Sequence, residues 1–206
     1  RRKVSALVER LRGKTMGEVY VANGAKSPPV VQLNFESVRL TDEQFYQLCK
    51  NNPEARLELT ADGELMAMPP TGAKTGARNK KLSHRLESWS EKDGRGIAFD
   101  SSTGFALPNG AKRSPDASWL RVERWDALSH EEQAGFAPLC PDFVVELRSP
   151  TEGLQTLQRK MAEYIENGAG LGWLIDPLEK CVDVYRPGQP DECLENPAEV
   201  SANPSF

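Results

Sequence analysis

The sequence has few of the residues on which most zinc-binding and disulfide-rich proteins depend. Among its 206 residues are only four Cys and two His. The Cys residues are scattered without C-x-x-C spacing, and His84 and His130 fit no zinc-ligand spacing. The spacing therefore predicts neither a zinc site nor a dense disulfide framework. We expect the four Cys side chains to be free buried thiols in a reducing cytoplasm.

Glycine-rich phosphate loops and long apolar runs are also lacking. No segment fits the dinucleotide-binding pattern GxGxxG or the P-loop pattern GxxxxGK(S/T). No run approaches the roughly 18 apolar residues of a membrane span. Arg1-Arg2-Lys3 leads into an amphipathic stretch, which is unlike a secretory signal. We predict a cytoplasmic protein with no membrane partner. Because the chain does not begin with Met, we also expect a few residues to precede Arg1.

The sequence has fewer basic than acidic residues. Lys and Arg total 26 against 30 Asp and Glu, which gives a formal net charge of −4. A dedicated nucleic-acid coat protein is basic, so this balance argues against that class. Metal-dependent enzymes that act on phosphates tolerate an acidic balance, because carboxylates hold their cation.

The patterning predicts an α+β (α/β) core preceded by an arm. Apolar residues at helical spacing predict a helix over 1–16, and an extended arm follows over 17–40. Capping boxes at 41–44 and 129–132 begin two helices. The other predicted elements are a hairpin (56–60 and 64–68), helices (76–91 and 152–167), strands (97–100, 104–107, 117–121, 141–148, 172–176 and 181–186) and a segment at 192–194 that is either an edge strand or disordered.

Several charged residues stand within these elements where apolar residues are expected. Glu146 lies in the most apolar strand, which we predict to be central, and a buried carboxylate needs a cation, a proton or a metal. Asp116 begins another strand, and Glu58 alternates with Leu in the hairpin. Lys160 lies on the helix that follows the Glu146 strand, so it could reach these carboxylates.

Each of these residues could instead have a purely structural role. Residues two apart on a strand share a face at about 6.6 Å, so Glu146 could pair with Arg148. Asp116 could be a turn residue, Glu58 an exposed hairpin residue and Lys160 a surface lysine. Acting together, two or three carboxylates and one cation suit Mg²⁺ or Mn²⁺ and a metal-activated water that attacks a phosphate.

Six short segments occur in one order along the chain. They are RLELTADGEL at 56–65, MPPTG at 68–72, RSPD at 113–116, CPDFVVELRSP at 140–150, KMAEY at 160–164 and GWLIDP at 172–177. Over roughly residues 36–200 the chain resembles the Uma2 family, formerly a domain of unknown function, which is abundant in cyanobacteria and assigned to the PD-(D/E)xK nuclease superfamily. The resemblance implies a restriction-endonuclease-like core, a mixed β-sheet flanked by helices. We assign 1–35 to the helical and extended arm and 36–206 to a single nuclease-like domain.

The resemblance also implies roles for individual residues. Asp116 matches the Asp of the PD motif, and Glu146 matches its (D/E). Arg148 stands where the superfamily has Lys, and Lys160 matches the helix lysine proposed as its substitute in this family. Glu58 matches the acidic residue of the first element. These matches imply that Asp116, Glu146 and Glu58 bind Mg²⁺ or Mn²⁺, and that the same three residues and Lys160 are catalytic.

A stripe of basic residues follows one side of the helix predicted over 76–91 and the segment before it. Its members are Lys74, Arg78, Lys81 and Arg85. They could be a solvated face, or they could contact the phosphate backbone of DNA without reading its sequence. Arg148 is a further candidate for substrate binding.

The favoured function is that of a Mg²⁺-dependent endonuclease that hydrolyses phosphodiester bonds in DNA. One alternative is a weak or inactive nuclease-fold protein that binds DNA or a protein partner, and Arg148 at the lysine position supports it. Another is a structural module in which Glu146 is paired far from Asp116. By analogy with nucleases of this fold, we expect a homodimer.

Overall fold

The computed structural model describes residues 31–34, 40–68 and 70–200. The helix predicted over 1–16 and most of the extended arm lie outside these residues. The chain divides into two compact units, Arg1–Pro69 and Pro70–Phe206. This division differs from the domain boundary at residue 35, which stays a prediction.

The first unit contains a short helix and a small antiparallel sheet. Helix α1 (Asp42–Asn51) begins at the predicted capping box, in which the Thr41 side chain and Gln44 exchange hydrogen bonds. Strands β2 (Arg56–Leu59) and β3 (Glu64–Met68) form the predicted hairpin, and Gly63 adopts a φ of 85° in its turn. Strand β1 (Val31–Asn34) pairs with β3 and completes the order β1-β3-β2.

The second unit is built on a six-stranded sheet. Its strands are β4 (Gly96–Asp100), β7 (Ala117–Arg121), β8 (Phe143–Leu147), β9 (Leu171–Asp176), β10 (Cys181–Tyr185) and β11 (Glu192–Glu195). Their order across the sheet is β11-β10-β9-β8-β7-β4, so β8 lies in the interior, as its apolar sequence predicts, and β11 forms an edge. Strands β8 and β9 are parallel, and the other neighbours are antiparallel.

Helices connect and cover these strands. The helices of this unit are α2 (Ala73–Asp93), α3 (Val122–Asp126), α4 (His130–Ala134) and α5 (Leu154–Glu166). The short strands β5 (Phe105–Ala106) and β6 (Lys112–Arg113) pair with each other. None of the described helices is long and apolar enough to cross a membrane.

The hydrophobic core has a layer on each face of the six-stranded sheet. Val144 packs with Met161 and Tyr164 of α5, and Val145 packs with Leu86 of α2 in a separate cluster. Val144 and Val145 lie on opposite faces of the sheet because side chains alternate along a strand. Helix α5 therefore covers the face on which Glu146 also lies, since Glu146 is two residues from Val144.

Several boundaries differ from the sequence expectations. Helix α2 begins at Ala73, three residues before the predicted start. The expectation of buried Cys side chains is wrong for Cys193, which is exposed, and Cys49 and Cys181 are half-buried. All four are free thiols, as predicted. Trp89 of α2 is 37% exposed, although its ring contacts the buried Trp119 edge-on.

Candidate active site

Two of the predicted carboxylates stand at the same end of two neighbouring strands. Asp116 directly precedes β7 and Glu146 lies on β8, and Ala117 of β7 pairs with Val145 of β8. Asp116 is 6% exposed and Glu146 is 2% exposed. Both acids therefore lie at one end of the β7–β8 pair.

The carboxylate of Asp116 is held by two hydrogen-bond donors. The backbone N–H of Leu147 donates to Oδ2 at 2.8 Å, and the Asn79 side chain donates to Oδ1 at 3.0 Å. The sequence interpretation did not identify Asn79 as a site residue. Asn79 precedes the buried Leu86 by seven residues, or about two helical turns, so its place on the inner face of α2 was available from the sequence.

The carboxylate of Glu146 meets two side chains of α5. Lys160 Nζ lies 2.8 Å from Glu146 Oε1, and the Tyr164 hydroxyl donates to the same oxygen at 3.0 Å. Lys160 and Tyr164 are one helical turn apart, so both reach the same point of the sheet. Lys160 is only 9% exposed and Tyr164 is fully buried. The sequence placed Tyr164 beside Lys160 but did not assign it to the site.

Arg148, the second candidate for the superfamily lysine role, makes different contacts. Its Nη1 lies 2.5 Å from Oδ2 of the buried Asp176, and its Nε donates to the Glu152 carbonyl. Burial alone would raise the pKa of Asp176, but hydrogen bonds from Arg148 and from two backbone amides hold it below the usual value. Arg148 thus joins the end of β8 to the end of β9, whereas Lys160 approaches Glu146.

A second Asp on the loop before β8 is engaged by arginines. Asp142, 3% exposed, accepts from the backbone N–H of Arg121 and from the guanidinium groups of Arg121 and Arg124. These contacts account for its charge.

Glu58 lies on strand β2 of the first unit. It is 1% exposed, and its Oε1 lies 3.8 Å from Arg56 Nη2 on the same strand. The expectation of an exposed hairpin residue is wrong, since Leu57, Glu58 and Leu59 are all buried. A strand with three consecutive buried residues is covered on both faces.

The predicted basic stripe lies on α2. Lys74, Lys81 and Arg85 are exposed, and Arg78 is half-buried. At about 100° per residue the four side chains fall on one side of the helix, away from the buried Leu86. Since α2 also carries Asn79, one helix bears both the stripe and a residue that contacts Asp116.

The donor set of Asp116 and Glu146 fits a hard divalent cation. Both side chains offer carboxylate oxygens, which Mg²⁺ and Mn²⁺ prefer. Each carboxylate has two oxygens with two lone pairs each, so hydrogen bonds at some of these positions leave others that can bind a cation. The contacts from Leu147 and Asn79 orient the Asp116 carboxylate, as second-shell contacts orient metal ligands in general.

Comparisons with known proteins agree on the family. A solved structure described as a "putative nuclease belonging to DUF820" from Anabaena variabilis matches with a TM-score of 0.66 and 23% identity, and the match covers 81% of this chain and 90% of that chain. This match shows the restriction-endonuclease-like fold expected from the sequence. No curated protein matches the chain. The profile of Uma2, described as "Putative restriction endonuclease", matches residues 42–206, so the chain belongs to the Uma2 family.

Proposed function

We propose that this protein is a divalent-metal-dependent endonuclease that hydrolyses phosphodiester bonds in DNA. The observation that carries the proposal is the contact of Glu146 with Lys160 at 2.8 Å, on a strand whose neighbour β7 begins directly after Asp116. The family description and the nuclease named for the similar structure support the same reaction class. Neither of them names the metal or the substrate.

In this proposal Asp116 and Glu146 hold Mg²⁺ or Mn²⁺. The bound cation would supply charge neutralisation at the phosphate and would lower the pKa of a bound water. Lys160, beside Glu146, would orient the attacking water or stabilise the charge that develops on the phosphate. Tyr164 would fix the Glu146 carboxylate through its hydrogen bond. Glu58 enters the proposal as a further metal ligand, on the family resemblance alone.

The proposal that DNA is the substrate rests on the basic stripe of α2. Exposed Lys and Arg side chains along one helix suit the phosphate backbone of DNA and carry no base readout. The chain is acidic overall, so we expect weak DNA binding without metal and stronger binding once a divalent cation is present. We also propose a homodimer, since two copies would be needed to cut both strands in one encounter.

Nicking of supercoiled plasmid DNA tests the proposal. We expect nicking by the wild type in Mg²⁺ or Mn²⁺ and none after chelation. Asp116→Asn, Glu146→Gln and Lys160→Met should each lower the rate by about 100-fold or more, as loss of a group that stabilises transition-state charge does. Glu91→Gln, on the exposed side of α2, is the matched control and should nick like the wild type. Wild-type nicking that survives in Glu146→Gln would contradict the proposal.

A second candidate function is DNA or protein binding without cleavage. The observation that favours it is the engagement of Arg148 by Asp176 at the position where the superfamily has its lysine. A wild type that shifts DNA in a gel, yet nicks no DNA with any divalent metal, would support this candidate. Nicking that Asp116→Asn abolishes would exclude it.

A further inference from the structure

A second cluster of ligand-type side chains lies at the edge of the six-stranded sheet. It consists of Cys181 and Asp183 on β10 and Cys193 on β11. One ligand atom from each residue lies within 4.8 Å of the other two. Within residues 40–68 and 70–200, this is the only group of three or more His, Cys, Asp or Glu side chains that close.

The strand register explains this juxtaposition. Asp183 pairs with Cys193, and Cys181 pairs with Glu195. Because alternate residues of a strand share a face, these four side chains form a two-by-two block on one face of the β10–β11 hairpin.

We propose that this block is a binding site for a thiophilic divalent cation of the Zn²⁺ class, with Cys181, Asp183 and Cys193 as ligands and Glu195 as the fourth. Typical distances of about 2.3 Å for Zn–S and about 2.0–2.2 Å for Zn–O place tetrahedral donors roughly 3.5–3.8 Å apart. Donor atoms already within 4.8 Å reach that spacing by small rotations of their side chains. The proposal departs from the sequence expectation of no zinc site, because the donors come together through strand pairing and not through spacing along the chain.

A disulfide between Cys181 and Cys193 fits this geometry less well. The two residues are diagonal neighbours, since each pairs with a different residue of the other strand. Diagonal neighbours have Cα atoms about 7–8 Å apart, beyond the range of about 4.4–6.8 Å found in disulfides. A metal ion requires only that the side-chain donors converge. It would also bind the Asp183 carboxylate, which takes no part in a disulfide.

This site is separate from the candidate active site and does not rest on the proposed nuclease function. Glu146 pairs with Leu174, and Leu174 pairs with Asp183, so two strand spacings of about 4.8 Å separate the two acids along the sheet. The two donor sets differ in softness, with thiols here and carboxylates alone at Glu146 and Asp116. A cation bound here would cross-link β10 to the edge strand β11.

Titration of the full chain with Co²⁺, after chelation and in a phosphine reductant, tests the proposal. We expect one tightly bound ion per chain, with thiolate-to-cobalt charge-transfer absorption that Zn²⁺ displaces. Cys193→Ser and Asp183→Asn should each weaken binding by about tenfold or more, which is at least the loss found for outer contacts of metal sites. Cys49→Ser, whose thiol belongs to the other unit, should bind like the wild type.

Alkylation of the wild type keeps the test independent of how the variants fold. Zn²⁺ should protect Cys193, an exposed thiol, from iodoacetamide, and Mg²⁺ should not. The absence of both charge-transfer absorption and protection would overturn the proposal. A Cys181–Cys193 disulfide found by mass spectrometry in protein purified without reductant would also overturn it, in favour of a redox pair.

Discussion

The contact between Glu146 and Lys160 gives the sharpest test of the candidate site. Replacement of Lys160 by Met leaves a carboxylate that is only 2% exposed without its cation. Removal of one partner of a buried ion pair costs about 3–5 kcal/mol. The Tyr164 hydroxyl still donates to Glu146, so we expect the lower end, about 3 kcal/mol of unfolding free energy.

A double-mutant cycle isolates the pair itself. The cycle adds Glu146→Gln and the double variant, in which the buried carboxylate charge is gone and the amide oxygen still accepts from Tyr164. We expect the double variant to be more stable than the sum of the single losses predicts, with a coupling energy of about 2 kcal/mol. Urea denaturation at neutral pH, followed by far-UV circular dichroism, measures all four proteins, and unchanged slopes would show that the comparison is valid.

An exposed ion pair of the same unit is the control for this cycle. Arg186 Nη1 lies 3.6 Å from Glu192 Oε2, and the two side chains are 30% and 58% exposed. Such pairs contribute about 0–1 kcal/mol, so Glu192→Gln should change the unfolding free energy by no more than that. A coupling energy between Glu146 and Lys160 within the range of about 0–1 kcal/mol typical of exposed pairs would refute the reasoning from burial.

The other predictions concern acid stability, thiol reactivity and close packing. The pKa of Asp176 is held low by Arg148 and backbone donors, against its burial, so its stabilisation is full above about pH 4 and is lost as the pH falls through the native value. Asp176→Asn should therefore lower stability at neutral pH and flatten acid unfolding curves. Burial raises the pKa of Cys140 to about 12, so mass spectrometry should find Cys140 unlabelled by iodoacetamide at about pH 8 until denaturant is added. Gly96→Ala should lower the thermal midpoint through a loss of about 1–3 kcal/mol, because the added Cβ would overlap the Trp119 ring.

The local signals in the sequence predicted most of the fold. Capping boxes marked the starts of α1 and α4, and an Asp-Gly turn marked the β2–β3 hairpin, because these features depend on residues close together in the chain. The two-residue strand β6 was missed, since Lys112 and Arg113 look like surface residues in sequence but are 5% and 7% exposed. Only the surrounding fold reveals that burial.

For the site, too, features that depend on nearby residues could be predicted from the sequence, and contacts between distant residues could not. Glu146 stood out because a single carboxylate interrupts an apolar strand, and the helical phase of Lys160 pointed it towards the sheet. The contact of Asn79 with Asp116 joins residues 37 positions apart and depends on how α2 packs. The meeting of Cys181 with Cys193 depends on the β10–β11 register, which neither strand specifies by itself. Neither contact can be predicted from residue spacing along the chain.

The parallel pairing of β8 with β9 through α5 has a consequence for folding kinetics. The Tyr164–Glu146 contact closes 18 residues within this single βαβ unit, whereas the Asp116–Leu147 contact closes 31. Shorter loops lose less entropy on closure. Glu146 and Lys160 should therefore come together during folding before Asp116 joins them. Substitutions of Leu157 and Met161, which pack α5 into the core, should then slow folding, while Asn79→Ala should chiefly speed unfolding.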